Sequence, residues 1–272
     1  MKTIKLTIAC LTMLAVFSCN KSTNTTPTNS NVSNSEAADM VASSLSQNSN
    51  GVATAANDGT NVGSSLTLNL SSNALVAQNA SLNTNNASSY AFVPRGLLCG
   101  ATLNDTVSRK SAIGDSITYT YNSVYTFTLN CTNNLKDSLT MSSVFNGTHS
   151  GLLCSSVYSG TNAFTVNGLS PTASTFVING THTRNGSFVS KKDTTNHGTH
   201  TINVVVKNLT LSKPARTIIS GTATITITGN TVKKGSWTYT GTVVYNNDGT
   251  ASLTLGGLLY KINVLTGRLF KL

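Results

Sequence analysis

Residues 222–228 read Thr-Ala-Thr-Ile-Thr-Ile-Thr, with Ala223, Ile225 and Ile227 alternating against four threonines. The same period returns at Trp237, Tyr239, Gly241, Val243 and Tyr245, which alternate with Thr238, Thr240 and Thr242. Ala251, Leu253 and Leu255 repeat it, as do Ile202, Val204 and Val206. Successive side chains of an extended strand point to opposite faces. Each stretch therefore has one apolar face and one hydroxylated face, as a half-buried antiparallel strand requires. Threonine is β-branched and suits a strand, so its abundance is partly a conformational preference.

Turn signals separate these stretches. Asn185-Gly186 and Asp248-Gly249 read as two-residue hairpins, and Gly256-Gly257 and Thr266-Gly267 mark further turns. Links this short leave no room for helical crossovers, so the strands follow one another as an antiparallel meander. Roughly ten to fourteen strands of 6–10 residues fit residues 64–272, and a sheet that large curls or splits. The expectation is an all-β fold: one curved antiparallel sheet, barrel-like or an open half-barrel, with one short helix against its concave side. A two-sheet β-sandwich is the alternative.

That helix is placed at residues 34–47. Ser33 or Asn34 can cap it, Glu36 and Asp39 sit in the first turn, and Asn50-Gly51 reads as its stop. Ala37, Met40, Val41 and Leu45 share one face, so the helix should pack on the β domain.

Composition narrows the function. Of 272 residues, 43 are Thr, 35 Ser and 32 Asn, and charged residues make up only 10%. Such a chain is no long coiled coil. Glu36 is the single glutamate, which excludes an enzyme built on paired glutamates.

The N-terminus carries an address. Lys2 and Lys5 precede an apolar run from Ile8 to Phe17, the length of a signal peptide and too short to span a bilayer. The run closes in Val16-Phe17-Ser18-Cys19, which resembles the lipobox of bacterial lipoproteins. The resemblance implies that residues 1–18 are a signal peptide and that the Cys19 sulfur carries a diacylglycerol. It also implies that Cys19 becomes the acylated first residue, a firm membrane anchor. Residues 19–33 hold almost nothing apolar and read as a disordered tether. This tether looks like the stalk of Bacteroidota lipoproteins, in which acidic residues after the cysteine mark surface export. Their absence here points to the periplasmic face of the outer membrane.

Three further cysteines remain: Cys99, Cys131 and Cys154. In an oxidising compartment one disulfide and one free thiol are expected. Of three possible pairings, Cys99–Cys131 is preferred, because strand patterns between them can return the chain to one place. A metal site is not expected. The weak candidates are Asp193, His197 and His200, and positions i and i+3 of a strand face opposite ways. Trp237 falls in the apolar register and reads as core.

The formal charge is +10, with Arg109-Lys110, Lys191-Lys192 and Lys233-Lys234 at expected strand ends or loops. These read first as solubilising turn residues and second as attraction to an anionic surface. No cofactor and no nucleic-acid partner are expected. The functional expectation is a non-catalytic, lipid-anchored envelope protein. It would either hold an apolar or amphiphilic ligand in the sheet or act as a structural or adhesive protein contacting glycans. An open apolar cavity larger than about 300 Å3 inside the sheet favours the first, and a filled interior the second.

Overall fold

The computed structural model of this chain describes residues 32–68, 80–83, 95–232 and 235–272. The expected signal peptide, Cys19, nearly all of the expected tether and Lys233-Lys234 lie outside them. Two helices come first, α1 (Asn34–Leu45) and α2 (Val52–Ser65). Three short strands follow: β1 (Leu66–Leu68), β2 (Ala80–Asn83) and β3 (Arg95–Leu97). The long strands are β4 (Thr102–Lys110), β5 (Thr118–Thr132), β6 (Leu135–Ser150), β7 (Cys154–Asn167), β8 (Thr175–Ser190), β9 (His197–Ser212) and β10 (Ile218–Thr231). The chain closes with β11 (Gly235–Tyr245), β12 (Thr250–Leu255), β13 (Leu258–Asn263) and β14 (Leu269–Lys271).

Strands β4 to β14 pair in chain order, each antiparallel to the next, in one open sheet. β2 extends it by pairing parallel to β4, and β1 pairs parallel with β3 in a separate two-stranded sheet. The large sheet is continuous, so the two-sheet sandwich is not formed. Strand lengths exceed expectation, reaching 16 residues in β6, β8 and β9. Register shifts mark β8 against β9 between Ile178 and Gly180, and β9 against β10 between Ile218 and Thr222. Gly180, Asn208 and Gly221 adopt positive φ there, the backbone of bulges that bend long strands.

Asn185-Gly186 is not a turn. β8 runs straight through it, with Asn185 opposite Thr201 and Gly186 opposite both Tyr158 and His200. A Cβ at residue 186 would overlap the Val157 carbonyl and lie 3.1 Å from Tyr158 Cβ. Glycine is needed there for close approach, not for chain reversal. At Asp248-Gly249 the reversal does occur, with Gly249 at φ 75°.

The helical region also differs from expectation. α1 is shorter than residues 34–47 and has the full capping box: Glu36 N donates to Ser33 Oγ at 3.2 Å, and Ser33 N to Glu36 Oε2 at 2.8 Å. Asn50-Gly51 does not close the helical region, because α2 follows at once. Its Gly59, Gly63, Asn57 and Asn61 are poor helix formers, so local propensity does not announce it. Tertiary contact explains them: a Cβ at Gly59 would lie 3.1 Å from Val166 and 3.2 Å from Met141. Both helices are enclosed nearly all round rather than along one stripe, so Ser43, Ser44, Thr54 and Thr60 are as buried as Val41 and Leu45. The concave side of the sheet thus wraps its own helices, and the apolar registers of β4 to β13 close over them.

Candidate functional site

Charged side chains in the wrapped interior are tied down by nearby groups. Arg109 Nη2 donates to Asp58 Oδ1 at 2.7 Å, and Tyr125 Oη to Asp58 Oδ2 at 2.9 Å. Burial pushes the Asp58 carboxyl up, while Arg109 pulls it back. Asp39 accepts the backbone N–H groups of Leu153 at 3.1 Å and Cys154 at 3.0 Å. Arg184 is held by neutral acceptors. It donates to Ser43 Oγ at 2.8 Å and to the Ser49 and Asn50 carbonyls at 2.7 and 3.3 Å. These bonds fasten the link between α1 and α2 to β8.

Histidines inside are neutral. Burial, reinforced by Arg184, holds His149 down to about 3 and His200 down to about 4. His182 is pushed well below its usual value by the same causes, and its Nδ1 lies 2.7 Å from Asn162 Oδ1. The Cys154 thiol is raised far above its ordinary range by burial and then by Asp39. A thiol held that way is a poor nucleophile.

A hollow of about 460 Å3 lies on the opposite face of the sheet, over β4 to β7. Ser108, Lys110, Thr120, Asn122, Asn146, Thr148 and Val157 line it, with Arg109, Tyr121, Gly147 and Tyr158 behind them. Pairing register puts the outward residues in rows: Lys110, Thr120, Thr148 and Val157 in one, Ser108, Asn122 and Asn146 in the next. Ser108 Oγ donates to Asn122 Oδ1 at 2.8 Å, and the Thr120 and Thr148 hydroxyls are 2.8 Å apart. A second hollow of about 250 Å3 shares Thr148 and Val157 and continues past Ser150, Ser155, Ser187 and Val189. Together they form a shallow trough across β4 to β8. Its walls offer hydroxyls, amides, one exposed ammonium and the exposed side chains of Val157 and Val189. Among the described residues no carboxylate lines either hollow.

The residues singled out from sequence fall elsewhere. Cys99 and Cys131 form the preferred disulfide, closing the open end of the β4–β5 hairpin, and Cys154 is the free thiol. Asp193, His197 and His200 do not converge. Asp193 caps Thr195, His197 is exposed near the Thr194 carbonyl, and His200 is buried against Phe188. Trp237 is core. Arg109 is not a surface cation but half of a buried ion pair, which its neighbour Lys110 gives no reason to expect. Of the residues singled out from sequence only Arg109-Lys110 borders the trough, and the rest of its outward lining is ordinary Ser, Thr, Asn and Val from separate strands, which no local pattern groups together.

No family model, no curated protein and no solved structure matches this chain. Among the described residues no helix is long and apolar enough to cross a membrane.

Proposed function

We propose that this protein is a non-catalytic, lipid-anchored component of a bacterial envelope, held at Cys19 on the periplasmic face of the outer membrane. Its outer trough contacts glycans. The single observation that carries this reading is where the space lies. The interior that a carrier would leave open is occupied by α1 and α2, whereas a hollow of about 460 Å3 faces solvent and is lined by hydroxyl and amide groups. Such groups exchange hydrogen bonds with sugar hydroxyls, directly or through water, and Val157 offers an apolar patch for a ring face. Lys110, with no carboxylate beside it along the described trough, favours an acidic saccharide over a neutral one.

Calorimetric titration with trigalacturonate and with neutral cellotriose tests the glycan reading. Saturable binding of the acidic sugar is expected, weakened at least about tenfold by Lys110→Glu or Asn146→Leu. No saturable binding of either sugar overturns it. Native mass spectrometry separates it from the carrier reading, in which a lipid mass would co-purify. The anchor is tested by itself: the mature N-terminal peptide should carry diacylglycerol and acyl mass, and Cys19→Ala should send the protein to the aqueous phase of a detergent partition.

A further inference from the structure

The edge of the sheet formed by β13 and β14 differs from the rest of the outer face. Elsewhere that face is mostly Thr, Ser and Asn with exposed valines such as Val124 and Val144; here larger apolar side chains gather, Leu259 46%, Phe270 45% and Leu272 69% exposed. They lie side by side. Phe270 pairs with Lys261, and Leu272 N donates to the Leu259 carbonyl at 3.3 Å. Cations flank them. The Arg268 guanidinium sits 5.3 Å from the Phe270 ring centre, and Lys271, exposed on the edge strand, pairs with the buried Tyr260 and so leaves the strand on its other face. Asp248 is taken by Lys261 at 3.2 Å, and among the described residues no carboxylate is ion-paired with Arg268 or Lys271.

The chain enters the described fold beside this edge. The Val32 carbonyl accepts from Tyr239 Oη at 2.7 Å, and Asn34 Nδ2 donates to the Gly256 carbonyl at 3.2 Å, in the turn that leads into β13. An anchor at Cys19 leaves thirteen residues to Val32, a reach of at most about 45 Å when fully extended. The tether therefore leads from the bilayer to the end of the domain that carries exposed apolar side chains and cations together.

We propose that the β13–β14 edge of the sheet is a second membrane contact, with Leu259, Phe270 and Leu272 entering the headgroup layer from the outer face while Arg268 beside Phe270 and Lys271 on the other side of the edge strand meet anionic lipid headgroups. Apolar side chains flanked by cations are the pattern of interfacial binding to an anionic bilayer. A single acyl-anchored residue retains a protein without orienting it; this contact fixes the orientation and leaves the trough over β4 to β8 away from the bilayer edge of the sheet. A second copy of the chain is the weaker occupant, because β14 offers three residues for edge pairing and carries cations there.

The inference rests on the anchor reading, so its test removes the anchor. The chain from Asn20 onward keeps every described residue and lacks Cys19. In a flotation assay it should rise with phosphatidylcholine vesicles that contain phosphatidylglycerol and stay behind with phosphatidylcholine alone, and high salt should release it. Phe270→Ser with Leu272→Ser should cut the floated fraction at least about tenfold, and so should Arg268→Glu with Lys271→Glu, with unchanged circular dichroism. Absence of flotation overturns the proposal, as does flotation indifferent to both variants. A concentration-dependent dimer abolished by these variants gives the face to a second copy and also overturns it. None of these outcomes bears on acylation, which the mass of the N-terminal peptide decides.

Discussion

The guanidinium of Arg184 lies 4.0 Å from the centre of the Tyr158 ring, in a place where its hydrogen-bond acceptors are a hydroxyl and backbone carbonyls rather than a carboxylate. Tyr158 in turn donates its hydroxyl to the Ser49 carbonyl at 3.0 Å. A sheet residue and its aromatic neighbour thus grip the same turn between α1 and α2. The carbonyl ends of that turn replace water around a buried cation, and the ring face adds a cation–π contact.

Arg184→Ala should therefore destabilise the fold by about 3–5 kcal/mol, since it leaves a cavity and several buried carbonyls without donors. Urea unfolding measures the loss. Hydrogen exchange of the backbone amides between Ser46 and Gly51 should quicken more than that of β9 or β10. Arg184→Lys should recover only part of the loss, because one ammonium cannot reproduce a planar fork.

The Asp58–Arg109 pair makes a second prediction. Asp58→Ala strands a buried guanidinium and should cost about 3–5 kcal/mol. Replacing both partners together, Asp58→Leu with Arg109→Met, should cost less than Asp58→Ala alone. A double-mutant cycle by urea unfolding checks the inequality, and a double variant as unstable as the single one would contradict it.

Acid should weaken the fold as the pH falls below the ordinary histidine range. The folded values of His149 and His200, about 3 and about 4, lie below the unfolded value of 6.5. Between these limits the unfolded chain binds protons that the folded chain refuses. The stability is then complete above pH 6.5 and is lost as pH falls. At about pH 5 each of these two histidines should subtract about 2 kcal/mol. Asp39 and Asp58, raised by burial, act in the opposite sense and offset part of the loss. Thermal melts by circular dichroism between about pH 7.5 and about pH 5 should show a falling midpoint, with a smaller fall in His200→Gln.

Gly229 and Trp237 face each other across β10 and β11. A Cβ at residue 229 would overlap Trp237 Cζ2, so the indole needs the bare backbone. Gly229→Val should displace the ring, cost about 1–3 kcal/mol, and red-shift the emission of the single tryptophan. Unchanged fluorescence would show that the indole does not need that space.

Some of this is legible in the sequence alone. Period-two alternation in Thr222–Thr228 and its counterparts, together with Asp248-Gly249 and Gly256-Gly257, suffices for an antiparallel meander, because side-chain alternation and turn chemistry are local. Ser33 as one of two candidate caps, and Glu36 in the first turn, are likewise local; the reciprocal Ser33–Glu36 box is seen only in the structure. The strand pattern favours Cys99–Cys131, but three pairings fit the sequence, and only β4 and β5 lying side by side select one.

What only the tertiary structure decided depends on groups far apart in sequence. Asp58 and Arg109 are 51 residues apart, Arg184 and Ser43 are 141 apart, and nothing local marks any of them as partners. α2 forms from weak helix formers because the sheet encloses it, and Gly186 lies mid-strand because the Val157 carbonyl and Tyr158 approach it too closely for a Cβ. The trough exists only where rows from neighbouring strands come into register. Local pattern determines which way each side chain points; the curl of the open sheet around its own helices determines what it meets.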